Sequence, residues 1–343
     1  MSTGYVYDPI FLEHDLRGHP ESRDRLFGVM RFLRERQITE RMEPILAPPI
    51  PREYLEMNHT AAYIDFVAEM SERGGGSLDM DTYVAPRTFE AALRAAGGVH
   101  AAAEAVLRGR MENAVCLVRP PGHHAIRNRG MGFCIFNNIA VAAHAVRAQR
   151  LARRIFIVDF DVHHGNGTQA SFYKDPDVLF CSTHQYPHYP GTGSIHEIGE
   201  GDGRGFTINV PLPAEVGDAG FQAVFEEIVW PAGKRFSPDL LLVSAGYDAH
   251  WADPLASLAL SLKGFASMGR RLVQMAKKLC GGRIVFTLEG GYHPNVLPNG
   301  VYNLCRAALG LPVDGDLDPL GPSPYPEPSL ETLIRAVRQA HGL

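Results

Sequence analysis

Six short runs of apolar and β-branched residues punctuate the chain: AVCLV at 114–118, IFIVDF at 155–160, VLFCS at 178–182, FTINV at 206–210, LLLVSA at 240–245 and RIVFTLE at 283–289. Longer segments with apolar residues at helical spacing lie among them, at 88–109, 137–152, 218–236 and 262–280. Apolar strands alternating with helices predict an α/β fold whose mainly parallel central sheet is covered by helices on both faces. The expectation is one three-layer domain over 1–343. Within it, 312–343 forms a C-terminal proline-rich segment (LGPSPYPEPSL, 320–330) and a last amphipathic helix over 330–343. Neither repeats nor a low-complexity linker divide the chain.

Composition narrows the class. The 343 residues are 45% hydrophobic and 21% charged, as in an ordinary globular protein with chain enough for a large core. A net charge of -5 gives no basic footprint, so a direct nucleic-acid partner is not expected. The longest apolar runs are too short to span a bilayer, and the N-terminus lacks a basic stretch followed by an apolar one. A cytoplasmic protein with no membrane partner is expected. Cys116, Cys134, Cys181, Cys280 and Cys305 are odd in number, form no CxxC and sit mostly in apolar runs, as buried reduced thiols do.

In parallel sheets, ligands bind beyond the C-terminal ends of the strands. The residues that follow each run are therefore informative. RPPGHHA follows 114–118 with His123 and His124. The run at 155–160 carries Asp159 and leads into Asp161, His163, His164 and Asn166. Asp248 follows 240–245, and Tyr292 follows 283–289. Asp161 and His163, two apart on an extended segment, point the same way. With Asp248 they offer one imidazole and two carboxylates, a set that leaves an open position for catalysis. Zinc is the first expectation, and iron(II) or cobalt fit the same donors. The bland alternative is that Asp161 and His163 cap the next helix. Tandem imidazoles in a Pro/Gly turn can serve one water, one ring as base and one as acid. Asp159 and Asn166 are candidate partners for their far nitrogens, and an Asp partner supports imidazolium where an Asn does not. Tyr292, after two glycines, can donate its phenol to an oxyanion.

The motifs RPPGHHA, GFCIFNN, VDFDVHHGNGTQ, SAGYDAHWADPL and LEGGYH, with HPESRDRL at 19–26 and NHTAAYIDFV at 58–67, resemble the arginase–deacetylase superfamily. More closely they resemble zinc-dependent histone deacetylases and their bacterial relatives, including acetylpolyamine amidohydrolases. HHGNG, with Asn166, is similar to class II deacetylases. The resemblance implies zinc ligands Asp161, His163 and Asp248. It implies His124 as base, with Asn166 behind it, His123 with Asp159 behind it, and Tyr292 polarising the carbonyl. A potassium ion beneath the zinc is implied at Asp159, Asp161, His163, Ser182 and Thr183. Phe133, after Gly132, and Tyr189 would wall the acyl channel, and Asp81 would grip the substrate backbone at the rim. Leu255, after Asp253-Pro254, departs from the polyamine branch, which carries an acidic gatekeeper there.

The reaction implied is metal-assisted hydrolysis of an acyl amide on a lysine side chain of a peptide or protein. Acylated polyamines and other small acylamines are the alternative substrates. Arginase-type ureohydrolysis is disfavoured by the HH turn and Tyr292, and a silent binding module by the presence of every ligand. Acyl length and homo-oligomerisation are left open.

Overall fold

The computed structural model describes residues 2–312 and 318–343. Part of the C-terminal segment expected at 312–343, residues 313–317, therefore lies outside the described residues. Among the described residues ten strands form in chain order: β1 (Thr3–Val6), β2 (Glu43–Ile45), β3 (Gly76–Ser77), β4 (Tyr83–Val84), β5 (Asn113–Cys116), β6 (Ile155–Asp159), β7 (Val178–Gln185), β8 (Thr207–Leu212), β9 (Leu240–Ala245) and β10 (Ile284–Leu288). Eight make one sheet in the order β2-β1-β5-β10-β9-β6-β7-β8, every pairing parallel. β3 and β4 pair separately as an antiparallel hairpin whose loop carries Asp81.

The central strands β5, β6, β9 and β10 are buried along their whole length, which is why their sequences read as continuous apolar runs. Helices Thr88–Leu107 and Asn138–Ala148 pack on each other, as do Leu262–Cys280 and Val296–Ala308. Covered on both faces, the sheet forms the middle layer of one hydrophobic core that extends from Val6 to Val337. The last helix, Glu331–His341, follows the proline-rich segment as expected.

The helix expected over 218–236 is broken into three stretches. A π-helical turn, Phe225–Val229, joins the α-helical Asp218–Val224 and Trp230–Phe236. Pro231 lacks an N–H and crowds the carbonyl one turn back, so the backbone widens just before it. The edge strand β2, its neighbour β1, and the helices Arg23–Glu35, Arg52–Asn58, Ala61–Glu72 and Val296–Ala308 add to the expected elements. Adjacent β5, β10, β9 and β6 all run the same way, so four consecutive loops emerge at one end of the sheet.

Candidate active site

Those four loops carry the candidate site residues. Beyond β5 the chain turns through Arg119–His124, and this turn is anchored from below by Glu289 at the end of β10. Its Oε2 accepts the amides of Gly122 at 2.7 Å and His123 at 3.3 Å, and its Oε1 accepts from Ser244 Oγ on β9 at 3.0 Å. The two imidazoles lie 4.0 Å apart between ring centres, both 3% exposed. His123 Nδ1 meets Asp159 Oδ2 at 3.0 Å, and His124 Nδ1 meets Asn166 Oδ1 at 2.7 Å. An amide oxygen only accepts, so His124 Nδ1 carries the proton and Nε2 is a free acceptor. Burial opposes charge on His123, but Asp159 and Asp161 outweigh it and push the ring up to about 10. Burial, then the charges of His123 and His163, hold His124 well below its ordinary value. The pair is thus split into one cationic and one neutral ring, the difference that the Asp and Asn partners predict.

Asp161 and His163 do not lie on an extended segment. Residues 161–163 form a bend, closed by Asp161 Oδ1 accepting His163 N at 2.9 Å. Such a side-chain-to-backbone bond two residues on is what Asp makes in preference to a strand. The two side chains converge all the same. The donor atoms of Asp161, His163 and Asp248 lie within 4.8 Å of one another, with His163 Nδ1 3.2 Å from Asp161 Oδ1 and 3.4 Å from Asp248 Oδ2. Capping is excluded as their role, since Gly165 is the N-cap of helix Asn166–Phe172 and no side chain caps it. His164 is turned away, bonded to Thr192 Oγ1 at 2.7 Å and Gln169 Oε1 at 3.0 Å.

The donor set fits a divalent cation. Asp248 Oδ1 accepts Val162 N at 3.0 Å, but Oδ2 is buried and accepts no hydrogen bond. An anionic oxygen in that position is costly unless a cation lies against it. Burial disfavours charge on His163, yet Asp161 and Asp248 push it up to about 10. The field that favours a proton on Nδ1 equally favours a metal ion in its place. Gly290 is required here, because a Cβ would come within 2.0 Å of Asp248 Oδ2.

Tyr292 follows Gly290 and Gly291 at the same sheet edge. Its amide donates to Asp253 Oδ2 at 2.8 Å, and its ring meets that of Phe133 edge-on at 5.7 Å. The Arg25 guanidinium lies over the Tyr292 ring at 4.7 Å. Arg25 also donates to the carbonyls of Glu289 at 2.6 Å and Gly291 at 2.8 Å, and to Glu21 Oε1 at 3.0 Å. Glu21 in turn receives Arg119 in a two-pronged pair, at 2.5 and 2.6 Å. Sequence reasoning assigned no role to Glu21, Arg25, Arg119, Asp253 or Glu289. The signal available was buried-type charge inside the quoted motifs, where no solvated face would need it.

The remaining sequence candidates fall around this centre. Gly132 and Phe133 both have left-handed backbone, with φ of 55° and 69°. A Cβ on Gly132 would lie 2.5 Å from His124 Cδ2, so only glycine lets this loop approach the imidazole. Tyr189 faces His124 edge-on at 5.1 Å and His163 at 6.1 Å between ring centres. Asp81 is exposed on the β3–β4 loop, whose Thr82 Oγ1 accepts Phe133 N at 3.0 Å, and His19 Nε2 holds the Asp81 carbonyl at 3.0 Å. Leu255 is half-buried, and its amide donates to Asp253 Oδ1 at 3.0 Å. Of the potassium candidates, Ser182 is the register partner of Asp159, its hydroxyl bonded to His184 Nδ1 at 2.9 Å, and Thr183 Oγ1 donates to the Asp159 carbonyl at 3.4 Å. Asp161 and His163 follow Asp159 along the bend, so the five residues adjoin one another.

Comparison with known proteins gives the same reading. The model of the histone deacetylase domain matches residues 19–308. A probable deacetylase of Archaeoglobus fulgidus is 44% identical, over 93% of this chain and 89% of its own. A histone deacetylase-like amidohydrolase of Pseudomonas aeruginosa is 41% identical, over 82% of this chain and 74% of its own. The crystal structure of the HDA15 HD domain superposes with a TM-score of 0.90 at 34% identity, covering 99% of this chain and 95% of that one. With the fold, the strand-end residues and these relatives in agreement, the chain belongs to the histone deacetylase family and is a deacetylase-type hydrolase.

Proposed function

We propose that this chain hydrolyses the amide between an acetyl or related acyl group and the ε-amine of a peptide or protein lysine, with zinc as its metal. The reading is carried by the convergence of Asp161, His163 and Asp248, with Asp248 Oδ2 buried and without a donor. A divalent cation there would supply Lewis acidity to the acyl oxygen and the attacking water. The polypeptide does the rest. His124, neutral and with Nε2 free, accepts the proton of the attacking water. His123, cationic beside Asp159, returns a proton to the departing amine. Tyr292 donates its phenol to the oxygen that gains charge. Phe133 and Tyr189 flank the approach as apolar walls, Gly132 leaves room for it, and Asp81 stands at its rim. Leu255 presents no charge to a distal ammonium, which favours lysine over polyamine. Ser182 and Thr183, with Asp159, Asp161 and His163, are the residues for a potassium ion. Five free, buried cysteines suit a reducing, cytoplasmic setting.

Acylated polyamines are the second reading. Asp79 and Asp81, close enough to Tyr189 to raise its phenol after burial has done so, could receive a distal ammonium. The test is metal-stripped protein reloaded with zinc, iron(II) or cobalt, assayed on acetyl-lysine and longer acyl-lysine peptides, acetylspermidine and acetylputrescine. Turnover of lysine peptides, highest with zinc, is expected. Turnover confined to polyamines sinks the lysine assignment, and full turnover in stripped protein sinks the metal.

A further inference from the structure

The side chain of Glu289 closes a ring of hydrogen bonds around the site. From the His turn, Arg119 runs to Glu21 (2.5 and 2.6 Å), and Glu21 to Arg25 (3.0 Å). Arg25 then grips the carbonyls of Glu289 (2.6 Å) and Gly291 (2.8 Å), the turn that delivers Tyr292. The Glu289 carboxylate returns to the amides of Gly122 (2.7 Å) and His123 (3.3 Å) in the His turn. Every side chain in the ring is buried, and Glu289 and Arg119 are 0% exposed. Two loops 167 residues apart in sequence are thus joined twice, once through Glu21 and Arg25 and once through Glu289 alone.

We infer that Glu289 is a positioning residue that fixes the turn bearing His123 and His124 relative to the turn bearing Tyr292. Its carboxylate accepts the Gly122 and His123 amides and Ser244 Oγ, and its carbonyl accepts Arg25, so it acts through the backbone of both loops. The geometry asks for acceptors rather than for a charge. Two amides point at one oxygen, and Ser244 Oγ can either donate to or accept from the other position. Glutamine keeps the acceptor for Gly122 and His123 and gives its NH2 to Ser244. Methionine, of the same length, offers neither.

Small misplacement of reacting groups is expensive in rate, so the variants separate the roles. The inference rests on the proposed hydrolysis by the His pair and Tyr292, and a wild-type protein inert on every acyl substrate breaks that reading rather than this one. Given an active wild type, Glu289→Met is expected to lower kcat by about 10–100-fold with KM within about twofold and metal content unchanged. Glu289→Gln should restore kcat to near wild type. Thr287→Val, on β10 two residues before Glu289, controls for disturbance of β10 and should leave kcat alone. Independently of activity, the backbone amide protons of Gly122 and His123 should shift upfield and exchange faster in Glu289→Met, and not in Glu289→Gln. Should Glu289→Met not fold, Glu289→Asp, one methylene too short to reach both amides, replaces it with the same expected pattern. Wild-type kcat in the folded Met or Asp variant, or a Gln variant as impaired as Met, overturns the inference.

Discussion

At the C-terminal ends of the central strands Glu21, Arg119, Asp159, Asp161, Asp248 and Glu289 are all 1% exposed or less, whereas at the N-terminal ends Arg153 is 81% exposed and its partner Asp177 27%. The N-terminal end is also rich in charge. Arg147 pairs with Asp175, Arg153 with Asp177 at 3.1 Å, and Arg283 Nε holds the Asp239 carbonyl at 2.7 Å. Water solvates those groups, so each pair has a ready substitute. Beneath the His turn there is no such substitute: Arg119 and His14 hold the Glu21 carboxyl well below its ordinary value against burial, whereas burial pushes the Glu289 carboxyl up to about 7. Burying an ion pair is often no better for stability than burying apolar residues. The C-terminal cluster is therefore better understood as holding geometry than as holding the fold together. Where desolvation makes an arrangement costly, the position of the groups is what the chain retains.

The sharpest way to test this contrast is to cut the base proposed at the C-terminal end, which lies outside the Asp161–His163–Asp248 group. His124→Ala removes the ring of the His pair that is held well below its ordinary value and whose Nδ1 meets Asn166. Loss of about 100- to 10,000-fold in kcat is expected, in line with general base catalysis, at unchanged metal content. A variant with more than a tenth of wild-type kcat contradicts the assignment of His124 as base.

Next in size is Glu21→Gln, which leaves Arg119 and Arg25 facing a neutral amide in the same buried space. Breaking a buried pair from one side costs about 3–5 kcal/mol, measurable as a loss of unfolding free energy in denaturant at pH 7. The pH dependence has a definite sign. Burial opposes charge on Glu21, but Arg119, His14 and their hydrogen bonds hold its carboxyl well below the ordinary 4.5. A depressed native value means that the charged group stabilises the fold fully above the unfolded value and loses this only as pH falls through the native one. The gap between wild type and Glu21→Gln should thus be full at pH 7, begin to shrink as pH falls past the ordinary 4.5, still be present at pH 4, and close only at lower pH. A gap already closed by pH 5 is incompatible with this pairing.

The same contrast explains what could be read from sequence. β5, β6, β9 and β10 are buried on both faces, so their apolar runs are unbroken and were legible, and the residues just after them were legible as one cluster at that end of the sheet. β1 and β2 lie toward one edge. β2 is Glu43-Pro44-Ile45, largely exposed, and a proline is tolerated there because one side of an edge strand needs no partner. Three or four residues with such a pattern carry no strand signal. Asp161 and His163 were legible as neighbours but not as a bend, because spacing says which residues are near and not how the backbone brings them together. The supporting charges were harder still. Arg25 reaches Gly291 across 266 positions, and Glu289 reaches Gly122 across 167. No local spacing encodes such a pairing; it exists only once the parallel sheet sets the loops side by side.

The smallest effect belongs to the solvated end and is the one that makes the comparison quantitative. Arg153→Ala removes a guanidinium 81% exposed, whose Nε is 3.1 Å from Asp177 Oδ1. Nothing buried is stranded, because Asp177 is also within 3.7 Å of Arg147 and can turn to water. The backbone amide of Arg153, which donates to Asp239 Oδ2 at 2.9 Å, survives the substitution. The expected loss is under about 1 kcal/mol, the range of exposed pairs, with kcat unchanged. Salt should shrink even that, since exposed charges are screened over about 10 Å at 0.1 M, whereas the Glu21→Gln deficit should hardly respond. Unfolding free energies of both variants at low and high salt measure the two responses side by side. If Arg153→Ala cost as much as Glu21→Gln, or if both deficits faded equally with salt, burial would not be what distinguishes the two ends of this sheet.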